Sequence, residues 1–288
     1  MGTTHSNMDS KQLQVMANQV RRDILRQVYN VQSGHPGGSL GLADYFTALF
    51  FHFMKHNPAA FTMEAKNEDV FILSNGHVSP VYYSVLARSG YFPVSELNSF
   101  RLINSRLQGH PATHEGLPGI RVATGSLGQG LSVAAGIALS KKLNQDDRTV
   151  YVVTGEGELQ EGQIWEAVMY ASHNKLDNML VAVDFNGQQI DGSTMEIMGF
   201  DEIGSKFAAF GWEVVHMDGN NMDEILAVVP QAQARLGQGK PVVIIMKTEM
   251  GQGVDFMMGT HAWHGKAPNA EQFEKAMAQL PVTDLGDF

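Results

Sequence analysis

The chain has 288 residues, 43% of them hydrophobic and 17% charged, and a net charge of -10. It contains no cysteine, which excludes disulfides, zinc–thiolate sites and iron–sulfur clusters. The acidic balance argues against nucleic acid or an anionic membrane as partner, and no apolar run reaches the roughly 18 residues that span a bilayer.

The polar N-terminus carries no signal-peptide core, so a cytoplasmic location is expected. Met1-Gly2 with Ser6 weakly matches a myristoylation pattern, for which chance is the better reading. Leu13, Met16, Val20, Ile24 and Val28 recur at three- and four-residue steps and predict a helix over about 9–32. Ser33-Gly34-His35-Pro36-Gly37-Gly38 breaks it, and a second apolar helix is predicted over about 40–53. The run 70–73 reads as a buried strand feeding the loop Ser74-Asn75-Gly76-His77. Helical signals follow over 78–88 and 128–143. A strand at 149–153 ends in Gly155-Glu156-Gly157, a helix covers about 161–173, and a strand spans 179–184. Strand 212–217, helix 222–236 and strand 242–246 complete the pattern. From about 251 no clear strand remains, and that tail is expected to wrap the body.

Helices alternating with buried apolar strands imply an α/β fold, a mostly parallel sheet with helices on both faces. The simplest organisation is one domain over 1–288. In such sheets ligands sit beyond the C-terminal ends of the strands. The segments 74–77, 154–157 and 185–188 each follow a predicted strand, so they are expected to collect at one rim.

Four features there suit chemistry. Gly155 through Gly162 follows a strand and opens a helix, a place where amides and the helix dipole can face a phosphate. Position 160 is glutamine, so the dinucleotide fingerprint is not met, and a plain tight turn reads equally well. Asp184-Phe185-Asn186-Gly187-Gln188 lies thirty residues further on, past the next strand. A carboxylate and an amide oxygen on neighbouring strand ends can share one hard cation, although Asn186-Gly187 alone is an ordinary turn. His35, His77, His110 and His264 each adjoin a glycine, and with His261 they suggest a polar pocket rather than a zinc site. Thr124-Gly125-Ser126-Leu127-Gly128-Gln129-Gly130 opens a small-residue helix, suited to backbone contact with a ring or phosphate, or simply to tight packing.

Together, and in this order, these segments resemble the N-terminal third of transketolase. The resemblance includes Gly109-His110-Pro111, Ile190-Asp191-Gly192 and residues His261 through Gly265. It implies a thiamine-diphosphate-binding fold of the diphosphate (PP) type. By resemblance, Glu156, the Asn186 side chain and the Gln188 carbonyl hold a divalent metal, Mg2+ or else Ca2+ or Mn2+, that bridges the cofactor diphosphate. Gly157, His77 and His264 approach the diphosphate, while Gly125, Ser126 and Leu127 line the aminopyrimidine. His35, His110 and His264 face the sugar hydroxyls and stabilise or shuttle protons. Glu161 and Glu166 match acidic residues at the subunit interface.

Two departures stand out. Glu156 replaces the aspartate usual in the family, which moves the carboxylate out by roughly 1.5 Å. Calcium, with longer and looser bonds, tolerates this better than magnesium. The chain also ends before the pyrimidine-binding and C-terminal domains, which carry the glutamate that activates the aminopyrimidine and the usual substrate-phosphate grip. The resemblance therefore implies the N-terminal subunit of a split transketolase, with a separately encoded C-terminal partner, an α2β2 assembly and sugar or sugar-phosphate substrates. The other readings are an α-type 2-oxo acid dehydrogenase subunit, a 1-deoxyxylulose-phosphate synthase fragment and a non-catalytic binding subunit.

Overall fold

Short runs rich in Val, Ile, Leu and Met bury both faces in four strands, and a fifth, partly exposed strand completes one parallel sheet at its edge. A computed structural model describes residues 8–199 and 202–288, so the pattern at Met1-Gly2 and Ser6 lies outside the described residues. The strands are β1 (Val70–Leu73), β2 (Val150–Gly155), β3 (Met179–Phe185), β6 (Glu213–Asp218) and β7 (Val242–Lys247), in the order β1-β2-β3-β7-β6. A separate two-residue hairpin, β4 (Gln188–Gln189) with β5 (Gly192–Ser193), follows β3.

Successive strand residues point to opposite faces, and each face meets its own core. Phe71, Tyr151, Leu180 and Ile244 join α1 (Ser10–Val31), α3 (Ala43–Ala48), α4 (Ser79–Arg88) and α9 (Met222–Gln233) on one side. Val70, Val152, Val181 and Val243 join α5 (Gln129–Leu143), α6 (Gly162–His173) and α8 (Ile203–Ala209) on the other.

The first helix shows how sequence becomes packing. Asp9 and Gln12 form a reciprocal cap, each side chain bonding the other's backbone N–H at 2.8 and 2.9 Å. Gln32, in a left-handed conformation with φ 52°, ends it. Leu13, Val20, Ile24, Leu25 and Val28 are fully buried. Each stabilises the fold by about 1.5–3 kcal/mol. Where one helix was expected over 40–53, the chain forms α2 (Pro36–Gly41), then α3, then a π-turn at Leu49–Phe53. The break follows Gly41, which lies so close to the Glu249 carbonyl that a Cβ would approach it to 2.8 Å.

Part of the tail packs against α1. It also contains a helix that the periodicity did not announce, α10 (Ala270–Gln279). Tyr29 stacks on Phe273 with ring centroids 4.1 Å apart, and Arg22 reaches the Leu280 carbonyl at 2.8 Å and the Asp287 carboxylate at 2.6 Å. α10 escapes a pattern search because Ala276 is its one fully buried residue. The short helices α7 (Thr194–Met198) and α8 were likewise not anticipated.

Candidate active site

Because β1, β2 and β3 are neighbours and parallel, the loops at 74–77, 154–157 and 185–188 leave the sheet side by side. They wall a cavity of about 380 Å³ at the C-terminal rim. His35, His77, His110, Gly125, Leu127, Glu156, Gly157, Glu161, Asn186, Gln188 and His264 line it. Ser126 does not, and Glu166 and His261 are exposed outside it.

Glu156 and Asn186 belong to adjacent strand ends, since Gly155 is in register with Asp184. Gly187 has φ 71°, a conformation that glycine adopts freely, and its N–H turns back to the Glu156 carboxylate at 2.7 Å. Burial raises the Glu156 pKa above the usual glutamate value, and the Gly187 N–H opposes that rise. The Asn186 amide donates to Asp184 Oδ2 at 2.9 Å, and its oxygen accepts from the Gln188 N–H at 2.9 Å. Asp184 is buried and also accepts from the Thr248 hydroxyl. Burial pushes it up to about 7, helped by the nearby Glu156 charge and opposed by its Thr248 and Asn186 bonds.

The donor set suits a hard cation. The Glu156 carboxylate accepts from the Gly187 N–H and has the Thr194 hydroxyl beside it, and the Asn186 oxygen accepts one bond, so both groups keep lone pairs for a cation. Both are oxygens, and a backbone carbonyl would complete an all-oxygen set. Among the described residues no three His, Asp or Glu side chains form a metal cluster by themselves. Any cation bound here would therefore have one carboxylate plus neutral oxygens to hold it.

The four histidines arrive from four separate segments. Ring centroids lie 5.0 Å apart for His35 and His77, 5.6 Å for His35 and His264, 5.1 Å for His77 and His264, and 6.5 Å for His35 and His110. Burial is the main cause that lowers all four pKa values, and for His35, which falls to about 4, the neighbouring His264, Arg101 and His110 add to it. Neutral imidazoles can each donate and accept one proton. Buried His35 Nδ1, His264 Nδ1 and Asn75 Oδ1 have no protein partner, as expected of atoms that await a polar ligand.

Close approach is built into two glycines. A Cβ on Gly76 would come within 2.8 Å of the Gly125 nitrogen, and one on Gly125 within 3.0 Å of the His110 ring. Sequence reasoning missed the carboxylate that ties these loops together. Buried Glu158 accepts from the Ser74 hydroxyl, from Gly128 N at 2.7 Å and from Gly155 N at 3.0 Å. It thereby joins the β1 loop, the start of α5 and the end of β2. Gln160, at the position where a dinucleotide fingerprint needs glycine, bonds the Gln189 side chain and the Met198 carbonyl, both at 2.9 Å, and so holds the β4–β5 segment against the cavity. The only hint to Glu158 is its place two residues after Glu156 in the glycine segment.

A parallel α/β sheet whose polar, oxygen-rich strand-end loops wall one rim cavity is of the class that binds phosphorylated cofactors. Residues 12–284 match the family model described as transketolase, thiamine diphosphate binding domain. The chain belongs to the transketolase family. It is 39% identical to the 6-deoxy-6-sulfo-D-fructose transketolase subunit of a Clostridium species, over 93% of this chain and 96% of that one. It is 37% identical to an apulose-4-phosphate transketolase subunit from Actinobacillus succinogenes, over 95% and 98%. Against the crystal structure of transketolase from Campylobacter jejuni the TM-score is 0.87 with 35% identity, covering 95% of this chain and 43% of that one. The chain thus spans less than half of the single-chain transketolases and nearly all of the separately named subunits. Its place is that of a transketolase N-terminal subunit.

Proposed function

We propose that the chain, joined by a separately encoded C-terminal subunit in an α2β2 assembly, transfers a two-carbon ketol unit from a ketose to an aldose. Its location would be cytoplasmic; among the described residues no helix is long and apolar enough to cross a membrane. Two similar subunits are named for 6-deoxy-6-sulfo-D-fructose and for apulose-4-phosphate, so a sugar with an anionic group is the substrate class we favour. The observation that carries the reading is the meeting of the Glu156–Asn186 oxygens and the neutral histidine cluster in one cavity.

Thiamine diphosphate, when bound, supplies the thiazolium that stabilises a carbanion. The protein's part is position and electrostatics. Glu156, the Asn186 oxygen and the Gln188 carbonyl would hold a divalent ion, magnesium or the more permissive calcium or manganese, which would supply positive charge for the diphosphate. Gly157 brings backbone close to that group, with His77 and His264 beside it. Gly125, Ser126 and Leu127 support the pyrimidine; Gly125 and Leu127 are on the wall, which suits contact better than the placement of Ser126 does. His35, His110 and His264, being neutral, donate hydrogen bonds to hydroxyl and carbonyl oxygens and accept protons from them. Exposed Glu161 and Glu166 are available to the partner subunit.

Titration of the chain with thiamine diphosphate, with and without Mg2+ or Ca2+, tests the cradle. Affinity should require the ion and fall at least about tenfold in Glu156→Gln, as for loss of one charged ligand. Binding indifferent to metal would refute it. Ketol transfer should be absent with this chain alone and appear once the partner subunit is added; turnover by the lone chain would overturn the two-chain reading.

A further inference from the structure

We propose that Asp184 is a positioning residue whose carboxylate decides which end of the Asn186 side-chain amide is free to meet a cation. The inference rests on the cation-cradle reading above and extends it to a residue behind the cradle. Asp184 acts through Asn186 and is not itself a ligand.

An asparagine amide has two ends of nearly equal size and opposite chemistry. Its oxygen suits a hard cation, whereas its NH2 group only donates hydrogen bonds. A cradle that uses Asn186 must therefore exclude the flipped amide, and two bonds do so. The amide nitrogen donates to Asp184 Oδ2 at 2.9 Å, and the oxygen accepts from the Gln188 N–H at 2.9 Å. Turned over, the amide would set its NH2 against an N–H and its oxygen against a carboxylate oxygen, losing both bonds. The Gln188 bond spans two residues and is a local turn of the kind asparagine forms in many loops. Asp184 adds the stronger constraint, because its acceptor is a carboxylate.

Asp184 is itself held in place. Its Oδ1 accepts from the hydroxyl of Thr248, the residue that follows β7 and lies 64 positions further along the chain. The Thr248 N–H bonds the Phe185 carbonyl at 3.2 Å, which keeps the two strand ends together. Both side chains are buried, and each oxygen of the carboxylate is engaged by a different segment. The main chain of Asp184 serves the other half of the cradle, since its carbonyl accepts from the Glu156 N–H at 3.2 Å. One residue thus fixes the backbone that carries the carboxylate ligand and the orientation of the amide ligand.

Packing gives no other reason for a carboxylate there. Among the described residues four aspartates are buried. Asp23 and Asp44 pair with Arg88 and Arg21, and Asp69 accepts from the Lys55 and Thr149 N–H groups at 2.7 and 2.9 Å. Asp184 has neither a cation nor a main-chain donor; its carboxylate meets a hydroxyl and an amide, with a second carboxylate, Glu156, nearby. An apolar residue would fill the place at lower cost to folding. The carboxylate is explained by what it holds, the Asn186 amide at the cavity wall.

The test titrates the full chain with Mn2+ in the presence of thiamine diphosphate and reads free Mn2+ by electron paramagnetic resonance, with no recourse to turnover. Asp184→Leu should weaken Mn2+ binding about 10- to 100-fold, the range for loss of a residue that orients a metal ligand. Asp184→Asn still offers the Asn186 NH2 an oxygen and should stay within about fivefold of wild type. In an Asn186→Ala background, where no amide is left to orient, Asp184→Leu should add less than about twofold. Unchanged binding in Asp184→Leu would overturn the proposal, and so would a full further loss in the Asn186→Ala background. Asparagine as damaging as leucine would show that Asp184 acts by its charge and would overturn it too. Should Asp184→Leu fail to fold, Thr248→Val, which frees the carboxylate to swing, takes its place. A loss that vanishes in the Asn186→Ala background supports the proposal; no loss, or the same loss in both backgrounds, refutes it. A wild-type chain that binds thiamine diphosphate equally with and without Mn2+ would instead strike the cradle reading on which this one stands.

Discussion

Replacing Glu158 should loosen the whole rim. Its two carboxylate oxygens accept three hydrogen bonds, from Ser74, Gly128 and Gly155. In Glu158→Ala the Ser74 hydroxyl can turn to another partner, but two backbone N–H groups lose their acceptor. Each unsatisfied buried donor costs roughly 1–3 kcal/mol. Burial already raises the Glu158 pKa, so removing the charge returns part of that cost. The net loss is about 3 kcal/mol, or a Tm lower by roughly 6 °C for a chain of this size. Glu158→Gln retains one oxygen for Ser74 and Gly128 and sets an amide against the Gly155 N–H, for a cost of about 1–2 kcal/mol. Urea unfolding of the chain, read as a shift in midpoint at constant slope, should therefore rank wild type above glutamine above alanine. Thiamine-diphosphate affinity should follow the same order. A loss below 1 kcal/mol for alanine, or glutamine as damaging as alanine, would show that Glu158 does not organise these loops.

Three further outcomes follow from the site and the tail. Gly76→Ala places a methyl 2.8 Å from the Gly125 nitrogen, so the two loops must part, and cofactor affinity should fall several-fold with far-UV CD unchanged; unaltered affinity would refute the close-approach argument. The His35 ring should titrate near pH 4 in an NMR experiment, because burial and cationic neighbours disfavour its charged form. Such a depressed histidine contributes stability that is present above pH 6.5 and lost as pH falls toward 4, and a midpoint near 6.5 would remove the basis for a neutral cluster. Asp287 is held down to about 2, chiefly by its hydrogen bonds to Arg22. Its contribution, about 1 kcal/mol after solvent screening, is present above pH 4 and lost as pH falls from 4 to 2; Asp287→Asn should remove that acid-dependent increment, and identical acid unfolding curves would contradict it.

Local pattern alone determined a good deal. The period of apolar residues located α1, all five strands of the main sheet and α9, because burial on one stripe or on both faces leaves a direct imprint on residue order. Strand-end glycines, histidines and Asn186 marked the rim, because a parallel sheet carries its loops to one edge whatever its other details. Three matters were decided only in three dimensions. The insertion of β7 between β3 and β6 is a long-range pairing that no local period encodes. The standing of Glu158 depends on a partner 30 residues away, Gly128. The exclusion of Ser126 and Glu166 from the cavity wall depends on which way a loop and a helix turn. Whether a charge is paired, buried or abandoned is a property of what surrounds it, and those surroundings exist only once distant segments have packed together.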